Sequence, residues 1–144
     1  MYETDESEEI MIRYKSGYKY QLVESYCVKT PIRPIDTITI DYIILAPSGV
    51  ISIGKGYAWD GASGPGIDTK NFMRGSLVHD AFYQLFRMKL LDIAWRPTVD
   101  LLLQTHCLED GMCRIRAWWV HRGVRLGGGP SADPRHAKII YEAP

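Results

Sequence analysis

The sequence predicts an α+β protein: an N-terminal antiparallel β-meander followed by a three-helix C-terminal half. Three observations carry this. Short runs rich in Val, Ile and Tyr, punctuated by Gly and Pro, fill the chain up to Trp59. Helical periodicity with capping residues begins at Thr69. Strands come first and helices second, with no β-α alternation.

Taken in order, the acidic residues 1–9 read as a loosely ordered head, with Glu3, Asp5, Glu6, Glu8 and Glu9 and no base. Residues 10–59 read as strands. Ile10–Lys15 ends at the Ser16-Gly17 turn signal, and Tyr18–Thr30 has a broken alternation that suggests a bulge. Pro31 and Pro34 forbid regular pairing. Thr37–Leu45 alternates as one strand, with Ile38, Ile40, Tyr42 and Ile44 on one face. Pro47-Ser48-Gly49 suits a hairpin turn into Val50–Trp59, where Gly54 and Gly56 mark a bend. The order also fits a small open barrel.

Residues 60–68 form a Gly-rich loop, DGASGPGID. Helices then occupy 69–128. Thr69 caps the first, which runs to about Met88. Pro97 sits in the first turn of the second, from about Arg96 to Leu108, and the third runs from Met112 to Leu126 before Gly127, Gly128 and Gly129. Residues 129–144 are a tail, in which Ala137–Glu142 is a candidate short strand.

At 144 residues the chain makes one domain, 1–144, large enough for a hydrophobic core. Lys+Arg and Asp+Glu both number 17, so no global field recruits nucleic acid, and no nucleic-acid partner is expected. Cys27, Cys107 and Cys113 form neither a disulfide framework nor a CxxC pair, which suggests a reducing compartment. Neither a signal peptide nor a transmembrane run is evident.

The first helix holds the most informative residues. At about 100° per residue, Phe72, Gly75, Ser76, His79, Tyr83 and Phe86 share one face, and Asp80 lies one step round. Nearly every other side of this helix is apolar, so its ionisable pair needs partners. His79 is a candidate general base, because imidazole titrates near neutral pH. Asp80 is a candidate ligand for a hard cation such as calcium, and the preceding loop, with Asp60, is a candidate source of further oxygens. Asp100, near the start of the second helix, is placed to accept from the other imidazole nitrogen and fix the tautomer. The structural reading stands beside this one: His79 as a satisfied core histidine, Asp80 paired with Arg74 or Arg122, and the loop glycines serving the backbone alone. Gly75 costs helix stability unless another backbone approaches it closely.

Trp59-Asp60-Gly61-Ala62-Ser63-x-Pro65, Leu77-Val78-His79-Asp80-x-x-Tyr83, Asp100, and Arg116-Ala117-Trp118 with Val124-Arg125 and Gly127 together resemble a family of small phage and prophage proteins known as an uncharacterised domain. The likeness spans roughly residues 50–128. It implies a phage or prophage origin, residence in the host cytoplasm or the virion, and a phage structural or host protein as partner. The order of Gly-rich loop, HDxxY helix and later Asp is also similar to phospholipase A2 enzymes. That likeness implies His79 as the base that activates water, Asp80 as a calcium ligand, Tyr83 and Asp100 as supports of the histidine, and membrane lipid as substrate. The chain departs from that family in lacking its cysteines, in carrying Asp60 and Asp68 at the loop ends, and in its strand-rich first half. An HD-type phosphohydrolase is excluded, because that metal site needs an upstream histidine and His79 is the first in the chain.

The third helix, MCRIRAWWVHRGVRLGGG, gathers Arg114, Trp118, His121, Arg122 and Arg125 on one arc. Arginines interleaved with Trp suit phosphate groups, a membrane surface or an acidic partner. On the structural reading the arginines pair internally and Trp118 or Trp119 packs in the core. Arg122 and Arg125 join the candidate site residues on these grounds, as does Ser63 of the DGAS loop from the motif above. Two functions are expected: a phage-encoded, virion-associated or protein-binding domain, or a calcium-assisted lipid or ester hydrolase.

Overall fold

Turn chemistry divides the N-terminal half into more strands than the hydrophobic pattern suggests. The computed structural model describes residues 12, 14–15, 20–61 and 69–132. Strands β1 (Tyr14–Lys15), β2 (Tyr20–Leu22) and β7 (Ala58–Trp59) form one antiparallel sheet in the order β1-β2-β7. Strands β3 (Tyr26–Lys29), β4 (Ile38–Ile40), β5 (Ile43–Leu45) and β6 (Val50–Ile53) form a second, in the order β3-β6-β5-β4. Here β4, β5 and β6 run as a meander, and β3 lies on the free side of β6.

Two expectations are corrected. The segment Tyr18–Thr30 is not one bulged strand: β2 and β3 belong to different sheets. Nor is Thr37–Leu45 a single strand. Asp41-Tyr42 is a two-residue turn, and Ile40 pairs with Ile43 across it. The turn resets the alternation, so Ile43 and Leu45 are fully buried while Ile44 is exposed. The bend expected in Val50–Trp59 falls between β6 and β7, where Gly56 has φ +96°.

The helices start and stop near the punctuation in the sequence, but none of the three has a side-chain cap bond at its N-terminus, Thr69 included. α1 (Lys70–Arg87) starts after extended Thr69, α2 (Arg96–Glu109) carries Pro97 in its first turn, and α3 (Arg114–Gly127) stops at Gly128. A short 3-10 turn, Ile93–Trp95, leads into α2, and a single helical turn, α4 (Gly129–Ala132), follows α3. α1 closes with paired bonds from Leu90 N–H to the Leu85 carbonyl (3.0 Å) and from Lys89 N–H to the Phe86 carbonyl (3.0 Å). Lys89 holds φ 58° there, a left-handed position that favours glycine.

α1 is central because it is apolar almost all round. Leu77, Val78, Ala81, Phe82 and Leu85 pack with Ile32, Ile43, Leu45, Ile51, Ile53 and Trp59 from the strand half. Its opposite end packs on α2 and α3 through Phe72, Leu103, Cys107, Met112 and Ala117. Gly75 permits this approach: a Cβ there would stand 2.9 Å from Leu103 Cδ1 and 3.3 Å from the Leu103 carbonyl oxygen. Two polar ties fix α1 in register. The Trp59 indole N–H donates to Ser76 Oγ (3.0 Å). Buried Arg74 donates to both Asp110 oxygens, to Glu109 (2.7 Å) and to the Tyr26 hydroxyl (3.3 Å). The acidic head, residues 62–68 and the candidate strand Ala137–Glu142 lie outside the described residues.

Candidate functional site

His79 and Tyr83 are one helical turn apart on α1, and their rings stack at 4.1 Å between centroids. Asp100, on the first turns of α2, faces both and is fully buried. Its Oδ1 lies 2.8 Å from His79 Nε2 and accepts from the Tyr83 hydroxyl at 2.6 Å. Its Oδ2 accepts from Arg125 of α3 at 2.8 Å, with Arg96 Nε at 3.7 Å. Arg96 also donates to the Tyr83 hydroxyl oxygen (3.0 Å) and to the carbonyls of Val124 and Arg125 (3.1 and 3.2 Å). It thereby ties the last turn of α3 to α2, where orphan carbonyls need donors.

This arrangement assigns the protons. Burial disfavours the charged form of Asp100, but the hydrogen bonds from His79, Tyr83 and Arg125, with the His79 charge, hold its pKa below the ordinary carboxylate value. A carboxylate only accepts, so His79 Nε2 carries a hydrogen and donates it. The basic lone pair of neutral His79 is therefore on Nδ1. That nitrogen is 3.9 Å from Asp80 Oδ1. Burial pulls the His79 pKa down, yet hydrogen bonding to Asp100 and Asp80 outweighs it, and the net direction is upward from 6.5. Tyr83 moves upward too, first by burial and then by its bond to Asp100, so it stays a neutral donor.

The structure therefore brings together His79, Tyr83, Asp100 and Arg125, with Asp80 at the edge and its side chain one-third exposed. Asp60 is exposed at the end of β7. Burial raises the pKa of the Tyr57 hydroxyl; the Asp80 charge adds to that rise, Arg87 opposes it, and Asp60 adds a smaller share. Ser63 lies outside the described residues. Arg122 is not at this site: its guanidinium sits over the Trp118 ring at 5.1 Å. Neither arginine of the structural reading pairs with Asp80 in this arrangement, since Arg74 is committed to Asp110, Glu109 and Tyr26. Trp118 and Trp119 are exposed and do not enter the core.

Two participants escaped the sequence reading. Arg96 precedes Asp100 by four residues on α2, and that helical spacing was the available signal. Gly128 lies against Tyr83, where a Cβ would stand 2.6 Å from the hydroxyl oxygen. An open groove of about 730 Å³, lined by Phe86, Leu91, Asp92, Ile93, Arg96 and Gly129, meets the network at Arg96.

Asp80 and Asp60 are hard oxygen donors, the type calcium takes in sets of about six to eight. Among the described residues no group of three or more His, Cys, Asp or Glu side chains is close enough to hold a metal ion. Among the described residues no helix is long and apolar enough to cross a membrane. No family model, curated protein or solved structure matches this chain.

Proposed function

We propose that this chain is a hydrolase of lipid or other carboxylic esters, with His79 as general base and Asp80 and Asp60 as carboxylates for a calcium ion. The observation that carries the reading is the Asp100 anchor. A carboxylate sealed from solvent receives the Nε2 hydrogen of His79 at 2.8 Å and leaves the Nδ1 lone pair on the Asp80 side. A base held in one tautomer by a buried acid is the arrangement general-base catalysis needs. Tyr83 and Arg125 keep Asp100 ionised and fixed. In the step itself, Nδ1 takes a proton from water as the water oxygen bonds to the ester carbon. The proton then passes to the leaving alkoxide as the ester C–O bond breaks. When bound, calcium would polarise the ester carbonyl.

The experiment is turnover of phospholipid and simple ester substrates with calcium or with EDTA, for wild type, His79→Gln and Asp80→Asn. The reading expects calcium-dependent hydrolysis, reduced by about 10²-fold or more in His79→Gln with the fold retained. A folded wild type inert on every ester class would overturn it. A second reading is a non-catalytic phage or prophage protein that binds a phage structural or host protein. It is supported by the resemblance above and by the small opening at His79, whose side chain is 9% exposed. It expects His79→Gln to destabilise the fold with no activity to lose.

A further inference from the structure

The outer face of α3 is apolar and basic at once. Ile115 is 74% exposed, Trp118 45%, Trp119 63% and Leu126 79%. With exposed Arg122 they fall within an arc of about 100°, the width of one amphipathic stripe. Ala117, Val120 and Val124 occupy the opposite side and pack into the helical core. α3 is therefore held by its inner face among the described residues, while these outer side chains stay exposed.

The chemistry of that face is narrow. From Met112 to Gly129 there is no Asp, Glu, Asn, Gln, Ser or Thr. Of its arginines, Arg125 is bonded to Asp100 and Arg116 to the Thr69 hydroxyl at 2.7 Å. Arg114 is exposed beside the stripe, and Arg122 is exposed within it and lies over the Trp118 ring. A specific protein partner is met by a rim of varied hydrogen-bonding groups. Here the rim offers guanidinium groups, indole N–H and the His121 imidazole, with no carboxylate, amide or hydroxyl. Large apolar side chains, indoles and arginines with no carboxylate are what an anionic bilayer surface selects: apolar groups enter the acyl boundary, indoles sit at the headgroups and guanidinium groups meet phosphates.

We propose that the outer face of α3 docks the protein in the plane of an anionic lipid bilayer, with Ile115, Trp119 and Leu126 inserted and Arg114 and Arg122 on headgroup phosphates. The surface rests on α3 alone. Its test involves no turnover, so it and the hydrolase reading fail separately.

The test is co-sedimentation of the full chain with phosphatidylcholine vesicles, with and without phosphatidylglycerol, together with tryptophan emission. The wild type is expected to bind the mixed vesicles with a blue shift and to bind pure phosphatidylcholine more weakly. Trp119→Ser, or Ile115→Ser with Leu126→Ser, should lower partitioning by about tenfold or more while the circular dichroism is unchanged. Arg114→Gln with Arg122→Gln should abolish the preference for phosphatidylglycerol. A folded wild type that ignores both vesicles overturns the proposal, as does vesicle binding undiminished by Trp119→Ser. A concentration-dependent dimer dissolved by Trp119→Ser in sedimentation velocity would assign the face to a second copy and also overturn it. Binding to a protein partner by a chain indifferent to lipid would do the same.

Discussion

Replacing Asp100 with Asn tests the network at its most connected atom pair. The carboxylate receives three hydrogen bonds at 2.6–2.8 Å, from His79, Tyr83 and Arg125, and is fully buried. An asparagine that turns its oxygen to His79 and Tyr83 keeps those two as neutral bonds and sets its NH₂ against Arg125 and Arg96. Hydrogen bonds to a charged group contribute about 1 kcal/mol more than neutral ones. Two bonds so weakened cost about 2 kcal/mol, and the lost Arg125 bond adds about 1 kcal/mol, for about 3 kcal/mol in all. Arg125 is partly exposed and rehydrates, which keeps the figure from rising further. For a chain of this length, about 3 kcal/mol corresponds to a fall in Tm of roughly 6–12 °C. Asp100→Ala leaves all three donors without a partner and should cost more, roughly 4–5 kcal/mol. Thermal and urea unfolding at neutral pH, followed by circular dichroism, measure both. An Asp100→Asn protein melting within about 2 °C of wild type would refute this reasoning, because a buried three-donor carboxylate cannot be neutralised without cost.

Further outcomes are expected elsewhere in the fold. Burial and the neighbouring Arg74 charge push the buried His106 pKa down from 6.5 to about 4; its Nδ1 has no hydrogen-bond partner. Its contribution is complete above pH 6.5 and is lost as pH falls toward about 4, a difference of about 3 kcal/mol. His106→Gln should flatten that acid loss in urea titrations at pH 7 and pH 4; an unchanged slope would count against it. His79 has the opposite sign: its pKa is raised, so its contribution is present below pH 6.5 and lost as pH rises through the folded value. Gly75→Ala brings a Cβ to 2.9 Å from Leu103 Cδ1, and the overpacking should exceed the helix-propensity gain, for a net loss of about 1 kcal/mol. Equal or higher urea stability in that variant would mean α1 and α2 are not so close. Lys89→Gly relieves a left-handed residue at φ 58° and should stabilise by about 0.5–1 kcal/mol in the same assay.

What was legible in the sequence was mostly local. Pro97 and the glycines after Leu126 punctuate the helices because breakers act within one turn, and extended Thr69 precedes α1 although its hydroxyl caps no backbone N–H there. His79 and Tyr83 could be placed on one face because four residues on a helix is nearly a full turn. Asp100 was a good candidate because it lies early in the next amphipathic segment. The strand half was harder. Ile38 to Leu45 reads as continuous alternation, and only the two-residue turn at Asp41-Tyr42 reverses which isoleucines are buried. Arg96 and Gly128 were missed because their roles exist only once α1, α2 and α3 are in contact. Sequence spacing reports neighbours along a helix and says little of what a third helix brings.

The central claim is that His79 is held as the Nε2–H tautomer by an ionised Asp100, with Nδ1 as its basic nitrogen. Histidine-selective ¹⁵N NMR across a pH titration, assigned through His79→Gln, measures it directly. The account expects the Nε2–H tautomer, a strongly downfield Nε2 proton lost in Asp100→Asn, and a pKa above 6.5. An Nδ1–H tautomer, or a pKa below 6.5 with no response to Asp100→Asn, would contradict it.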